Sequence, residues 1–338
     1  MPKRHYFSMP KTNLMARNVL SYIIITLKGM AMGAADVVPG VSGGTIAFVS
    51  GIYEELLATI DGLDLGIFST WKKKGFKEMW AQYNLGFLTS LFIGVFISVL
   101  SLAKAISYVL EVYSILTWSF FFGLVVASIL YIGKQIKQWG TPLIIILILG
   151  VAIAYYITIA APVEAPDAIY FYFLSGCIAI IAMILPGISG SFILVILGAY
   201  AMVLGTLNNF ISSLIEQDWE GIKTNFVKVF VFILGCLVGI KVFSKALKWM
   251  FKNKKELTLA LLTGFMIGSL NKIWPWKRVL STRIDRHGEE QIVQADSILP
   301  SSFDGNPQLA MAILFAIIGF ALIFLLERFA TRKTAHAN

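Results

Sequence analysis

Pro39-Gly40-Val41-Ser42-Gly43-Gly44, followed by Gly51-Ile52-Tyr53, returns 147 residues later as Pro186-Gly187-Ile188-Ser189-Gly190-Ser191, followed by Gly198-Ala199-Tyr200. Each copy joins two apolar runs, 18–35 with 40–60 and 168–185 with 187–207, with no charged block between them. Two further echoes follow at an offset of 141. Ile93-Gly94 through Lys104-Ala105 aligns with Leu234-Gly235 through Lys245-Ala246, and Phe122-Gly123 through Ser128 aligns with Thr263-Gly264 through Ser269. Three ordered matches at nearly one offset predict an internal duplication, 1–165 onto 166–338.

The solvent of this chain is a bilayer. Of 338 residues, 57% are hydrophobic and 14% charged, and the mean hydropathy is +0.78; soluble domains carry about 25% charged residues because a large surface faces water. The predicted fold is an all-α polytopic membrane protein. Each half holds a Pro-Gly-broken hairpin (18–60; 168–207) and three transmembrane helices (84–103, 115–132, 141–160; 226–247, 257–271, 308–326). Whether the hairpin spans or dips in and returns, each half makes an odd number of crossings, so the second copy is predicted to be inverted.

The net charge of +9 reads as an orientation signal. With the N-terminus inside, the cytoplasmic pieces hold seventeen basic residues, including Lys72, Lys73, Lys74 and Lys77, and the outer pieces seven, five of them in the 272–307 loop. Both termini are therefore predicted to be cytoplasmic. The basic blocks lack the aromatic interleaving of a nucleic-acid groove. Cys177 and Cys236 sit in apolar runs as small hydrophobes, with no disulfide expected. His5, His287 and His336 lie in terminal or loop regions, and no metal or cofactor motif is present. The absence of a Walker motif or a GxGxxG turn excludes a nucleotide-driven pump. The mixed-charge stretch 283–290 reads as a solvated turn or hairpin.

Two readings of the Pro-Gly clusters follow. They are tight turns at the membrane surface, or breaks at bilayer depth that line a site, because irregular backbone in the hydrocarbon region is tolerated only against protein or a watery cavity. The flanking residues are apolar or small, without headgroup anchors, which favours the second. A half-helix starting after Gly44 aims its N–H groups at the bilayer middle, with Ser42 and Thr45 adding hydroxyls and Gly43 and Gly44 allowing close approach. Ser189, Gly190 and Ser191 supply the matching cradle. That arrangement suits an anion such as a phosphate.

Ionisable residues inside apolar runs are expensive and mark function by default. Asp36 is a candidate counter-charge, proton carrier or cation ligand, with helix capping as its alternative. Lys28 either snorkels to the surface or approaches the bound phosphate. Glu54 is a weaker coupling candidate, with Glu54 or Glu55 at the interface as the alternative. Only the first copy carries these charges: the equivalents are Ser175, Met183, Ala201 and Met202.

Gly33-Ala34-Ala35-Asp36-Val37-Val38-Pro39-Gly40-Val41-Ser42-Gly43-Gly44-Thr45, then Gly51-Ile52-Tyr53-Glu54, with the later Leu185-Pro186-Gly187-Ile188-Ser189-Gly190-Ser191, resembles the bacterial and archaeal membrane family associated with undecaprenyl-phosphate (polyprenyl-phosphate) translocation. The resemblance implies a flippase of the bacterial cytoplasmic membrane, not an enzyme. It would return the monophosphorylated lipid carrier from the outer to the cytoplasmic leaflet for peptidoglycan and other envelope polymers. Coupling to a proton or sodium ion is a physical expectation, because an anion moved toward an inside-negative potential goes uphill by about 2.3 kcal/mol per charge per 100 mV. Two other functions share the inverted-hairpin pattern. One is symport of another small anion. The other is the undecaprenyl-pyrophosphate phosphatase reaction, whose phosphate motif resembles Pro-Gly-x-Ser-Arg-Ser; neither tip here carries that arginine, the cationic clamp such chemistry needs.

Overall fold

Asn18 sets the first boundary. Its side chain accepts a 3.0 Å hydrogen bond from the Ser21 N–H and caps helix α1 (Val19–Val37). The structure, a computed structural model, describes residues 17–38, 41–166, 168–284 and 290–335. Pro39 and Gly40 fall outside the described residues. Beyond them Ser42 starts α2 (Gly43–Val49), Gly51 turns the chain at φ 75°, and α3 (Tyr53–Gly62) leads away. Then come α4 (Gly66–Gln82), α5 (Leu85–Val112), α6 (Ser114–Gly133) and α7 (Thr141–Ile159).

The second half runs through α8 (Ile169–Ile184), α9 (Gly190–Ile196), α10 (Ala199–Glu216), α11 (Trp219–Asn253) and α12 (Lys255–Ser269), with left-handed Gly198 bending α10 by 106° from α9. An antiparallel pair, β1 (Lys277–Ile284) and β2 (Glu290–Ser297), precedes α13 (Leu309–Ala335). Among the described residues five helices are long and apolar enough to cross a membrane: α1, α5, α6, α7 and α11; α9 with α10 makes a sixth if the bent pair is one span.

The fold is that of a helical, polytopic membrane protein, with corrections to the sequence reading. The bundle is helical, and the 272–307 loop, where a turn or hairpin was expected at 283–290, carries the β1–β2 pair. Each predicted hairpin is three helices, and α10 continues past 207 to Glu216. The spans predicted at 84–103 and 226–247 extend to Val112 and across Trp219–Asn253 because apolar residues continue past the polar ones used as boundaries. The lysine-bearing α4 was not anticipated; its Trp71 and Phe76 stay exposed beside Lys72, Lys73 and Lys74.

Helix pairing follows small residues. Without a hydrophobic drive between helices in lipid, close backbone approach does the packing. Gly29 of α1 backs onto the Leu91 carbonyl of α5, and Gly94 of α5 onto the Thr26 carbonyl of α1. In the second half Gly176 of α8 backs onto Phe232 of α11, and Gly235 of α11 onto Phe173 of α8. These contacts lie at the 147 and 141 offsets. The other pairs join the halves: Gly123 of α6 meets Ala316 of α13 and Gly319 meets Phe120, while Gly264 of α12 meets Leu147 of α7 and Gly150 meets Leu261. A Cβ at any of these eight glycines would run into a neighbour's backbone. Outward, α5, α7, α11 and α13 present exposed Phe96, Leu100, Ile145, Leu237 and Ile317, as a lipid-facing surface requires.

The register also fixes where paired helices end relative to one another. Tyr22 reaches Gly86 and Gly33 meets Val95 and Ser98, so α1 and α5 run side by side in the same direction. At that register α5 outlasts the end of α1 by about ten residues, roughly 15 Å at 1.5 Å per residue. α8 stops short of α11 in the same way, since Gly239 meets Cys177 and Ile180 while α11 continues to Asn253.

Candidate functional site

The two helix breaks touch each other inside the bundle. Ser42 is the N-cap of α2: its Oγ accepts from the Gly44 N–H at 3.1 Å and donates to the Leu185 carbonyl, also at 3.1 Å. Thr45 Oγ1 accepts from the Gly187 N–H at 3.0 Å. The Tyr53 hydroxyl donates to the Ile184 carbonyl at 3.2 Å. Ser42, Thr45 and Tyr53 are all buried. Gly44 must be glycine here, because a Cβ would meet the Ile184 carbonyl and Ser42 Oγ, and Gly187 holds φ 86° against the backbone of Met266. Ser189 and Ser191 pair through their hydroxyls at 2.9 Å, and Gly190 lies against the Ala179 carbonyl. The structure thus brings Ser42, Gly44 and Thr45 onto the second break at 183–187, with Gly43 against Asp36 and Ser189, Gly190 and Ser191 immediately after the break.

The charged candidates have distinct positions. Asp36 belongs to the tip: its Oδ1 accepts the Gly43 N–H at 2.7 Å, so an internal carboxylate occupies the positive end of α2. Lys28 is at the opposite end of α2, where its Nζ donates to the Ser50 carbonyl at 2.5 Å. There it satisfies a carbonyl at the negative end of the short helix. Glu54 is also away from the tip, in a 3.1 Å ion pair with Lys255. Glu55 accepts from Arg17 at 2.7 Å and from Asn84 at 2.8 Å.

Several contacts were not anticipated from sequence. Lys241 of α11 donates to the Ile60 carbonyl at 3.2 Å and to the Asp61 and Leu63 carbonyls, tying off the C-terminal end of α3, and Lys248 pairs with Asp61 at 2.7 Å. The bonds from Ser42 and Thr45 to the second break join residues more than 140 apart. The prior signal in the sequence was the recurrence of the Pro-Gly-x-Ser-Gly pattern at 39–43 and 186–190.

The arrangement offers hydroxyls and backbone N–H groups at two facing chain breaks, with one carboxylate in competition for them. Residues 32–291 match the family described as undecaprenyl phosphate translocase-like. The chain belongs to that family. It is 40% identical over 322 residues to the polyprenyl-phosphate transporter of Vibrio cholerae, covering 94% of this chain and all of that one. Against the polyprenyl-phosphate transporter of Staphylococcus aureus it is 34% identical over 264 residues, 74% of this chain and 85% of the relative. No solved structure matches significantly. Membership in this family of transporters makes the facing tips, rather than a hydrolytic centre, the place to seek the chemistry.

Proposed function

We propose that this protein carries a polyprenyl monophosphate such as undecaprenyl phosphate between leaflets, outer to cytoplasmic, at the meeting point of two re-entrant hairpins. Residues 1–165 and 166–338 form two inverted copies, with both termini cytoplasmic. The hairpins α1–α3 and α8–α10 enter from opposite sides. The observation that carries the reading is the direct contact between the Ser42–Thr45 tip and the 184–187 tip. Supporting it are the glycine contacts repeated at 141 and 147 residues and the shortfall of α1 and α8 relative to α5 and α11.

The phosphate exchanges for contacts the tips now make with each other. Parting the tips frees the Ser42 hydroxyl and the Gly187 N–H, and the phosphate oxygens accept those bonds together with those from Ser189 and Ser191. The prenyl chain stays in lipid while the halves rock about the site.

Asp36 makes the step cation-dependent. Its carboxylate holds the Gly43 N–H, the group a phosphate at α2 would also use, and two anions cannot share it cheaply in a low dielectric. A proton or metal cation at Asp36 relieves that competition and offsets the work of moving the lipid's charge against an inside-negative potential. Recycling of the carrier for cell-envelope polymers is the role this direction serves.

The test is reconstitution in liposomes with undecaprenyl phosphate in one leaflet. The expected result is protein-dependent transfer that falls in Ser42→Ala and Ser189→Ala. Transfer at the protein-free rate, with inorganic phosphate released from the pyrophosphate form instead, would replace the transporter by a phosphatase.

A further inference from the structure

A second polar site lies at the end of the bundle where α7 and α12 finish and α8 begins. A cavity of about 310 Å³ opens there between the last turn of α7 (Tyr155, Thr158), Phe192 and Ile196 of α9, the connector Asn271-Lys272, and the β1–β2 hairpin with Arg278 and Asp296. That volume is at the lower end of the roughly 300–1,000 Å³ typical of small-ligand sites. Its charges are two cations, Lys272 and Arg278, against one carboxylate, Asp296.

Lys272 is the unusual member. Its ammonium sits 3.7 Å from the centroid of the Phe192 ring, and among the described residues no carboxylate forms an ion pair with it. Behind it, Lys277 donates to the Lys272 carbonyl and lies 4.9 Å from the Trp118 ring. Burial pushes the Lys272 ammonium down to about 8; burial together with the neighbouring Lys272 pushes Lys277 to about 7. Two half-buried ammonium groups supported by aromatic rings and carbonyls carry an uncompensated desolvation penalty that an incoming anion would relieve.

The cavity is next to the second tip. Ser269, three residues before Lys272, lies against Gly187. Phe192 and Ile196 belong to α9, which starts at the Ser189–Ser191 cradle. The rim is tied to the same helix, because the Ile196 carbonyl accepts from the Val163 N–H at 2.9 Å.

We propose that this cavity is a receiving site for a phosphate monoester, held by Lys272 and Arg278 on the side from which the second hairpin enters, before the phosphate reaches the tips. The site deepens the transport reading and rests on it for the lipid as ligand; as an anion site it stands on the cavity and its cations.

The test is equilibrium binding of two probes, farnesyl phosphate and inorganic phosphate, to the full chain in lipid nanodiscs. Lys272→Gln and Arg278→Gln are expected to weaken binding at least fivefold, and Lys272→Arg, which keeps the charge and reports on folding, to retain it. Loss with both probes assigns the site to the phosphate group itself. Loss with the lipid probe alone assigns it to the headgroup at the membrane, and loss with inorganic phosphate alone to a free-phosphate site. Wild-type affinity for both probes in both Gln variants overturns the proposal, even if Ser42→Ala still slows leaflet transfer. If the variants lose phosphate binding while the wild type moves no lipid, the site stands and the transport reading falls.

Discussion

Replacing Thr45 by valine keeps the shape of the side chain and removes one oxygen, the acceptor of the Gly187 N–H at 3.0 Å. Thr45 is 1% exposed, so the orphaned N–H has no easy replacement partner. A buried donor left without its acceptor costs about 1–3 kcal/mol, which corresponds to a 5- to 150-fold change in an equilibrium constant. The tips' preference for each other should fall by that factor. Because Gly187 N–H is also one of the groups offered to the phosphate, the variant should turn over poorly, with its closed form underpopulated. Leaflet transfer in proteoliposomes measures this: Thr45→Val is expected to transfer at least fivefold more slowly, and Thr45→Ser, which keeps the oxygen, at close to the wild-type rate. Combined with Ser42→Ala the effects should be non-additive, since both residues bridge the same contact. Equal rates for Val, Ser and wild type would refute the claim that the tip contact takes part in transport.

Three further outcomes follow from other contacts. Asp36→Asn keeps an oxygen near the Gly43 N–H but loses the charge, so transfer should persist weakly and cease to respond to imposed proton or sodium gradients; an unchanged gradient response in rate assays would remove Asp36 from coupling. Gly94→Leu would drive a side chain into the Thr26 carbonyl; overpacking of this kind costs about 1–3 kcal/mol or more, and thermal unfolding in detergent should show a lower midpoint, as it should for Gly235→Leu at the equivalent contact. A lysine with a lowered pKa is ammonium below it and neutral above it, so phosphate affinity at the Lys272–Arg278 cavity should fall as pH rises through about 8; a flat binding isotherm series across that range would contradict the assignment.

The architecture was readable because membrane helices leave few alternatives. Apolar runs of about 20 residues must be helical in lipid, and Gly94 and Gly235, repeat partners in the sequence, make matching contacts with Thr26 and Phe173. What sequence did not convey was where the expensive charges end up. Lys28 lies among apolar residues eight positions before Asp36 and left two readings open, snorkelling or approach to the phosphate; its ammonium meets the carbonyl end of a seven-residue helix. Asp36 was legible as exceptional, and the alternative the structure displays is the cap, one hydrogen bond accepted from Gly43. Helix α4 escaped because it carries no spanning apolar run, and of the β1–β2 pair only a turn or hairpin at 283–290 was legible, not the length of its strands; the cavity escaped because α7, α9 and the β hairpin are far apart in the chain.

The central claim is that the facing tips must part for the headgroup to pass. Val41→Cys and Leu185→Cys, which flank the hydrogen bond from the Ser42 hydroxyl to the Leu185 carbonyl and leave Ser42 in place, in a background lacking Cys177 and Cys236, can be joined by a short cleavable bifunctional thiol reagent in proteoliposomes. The account predicts that joining the tips stops polyprenyl-phosphate transfer and that cleaving the link restores it. Transfer at the unlinked rate by fully cross-linked protein would contradict it.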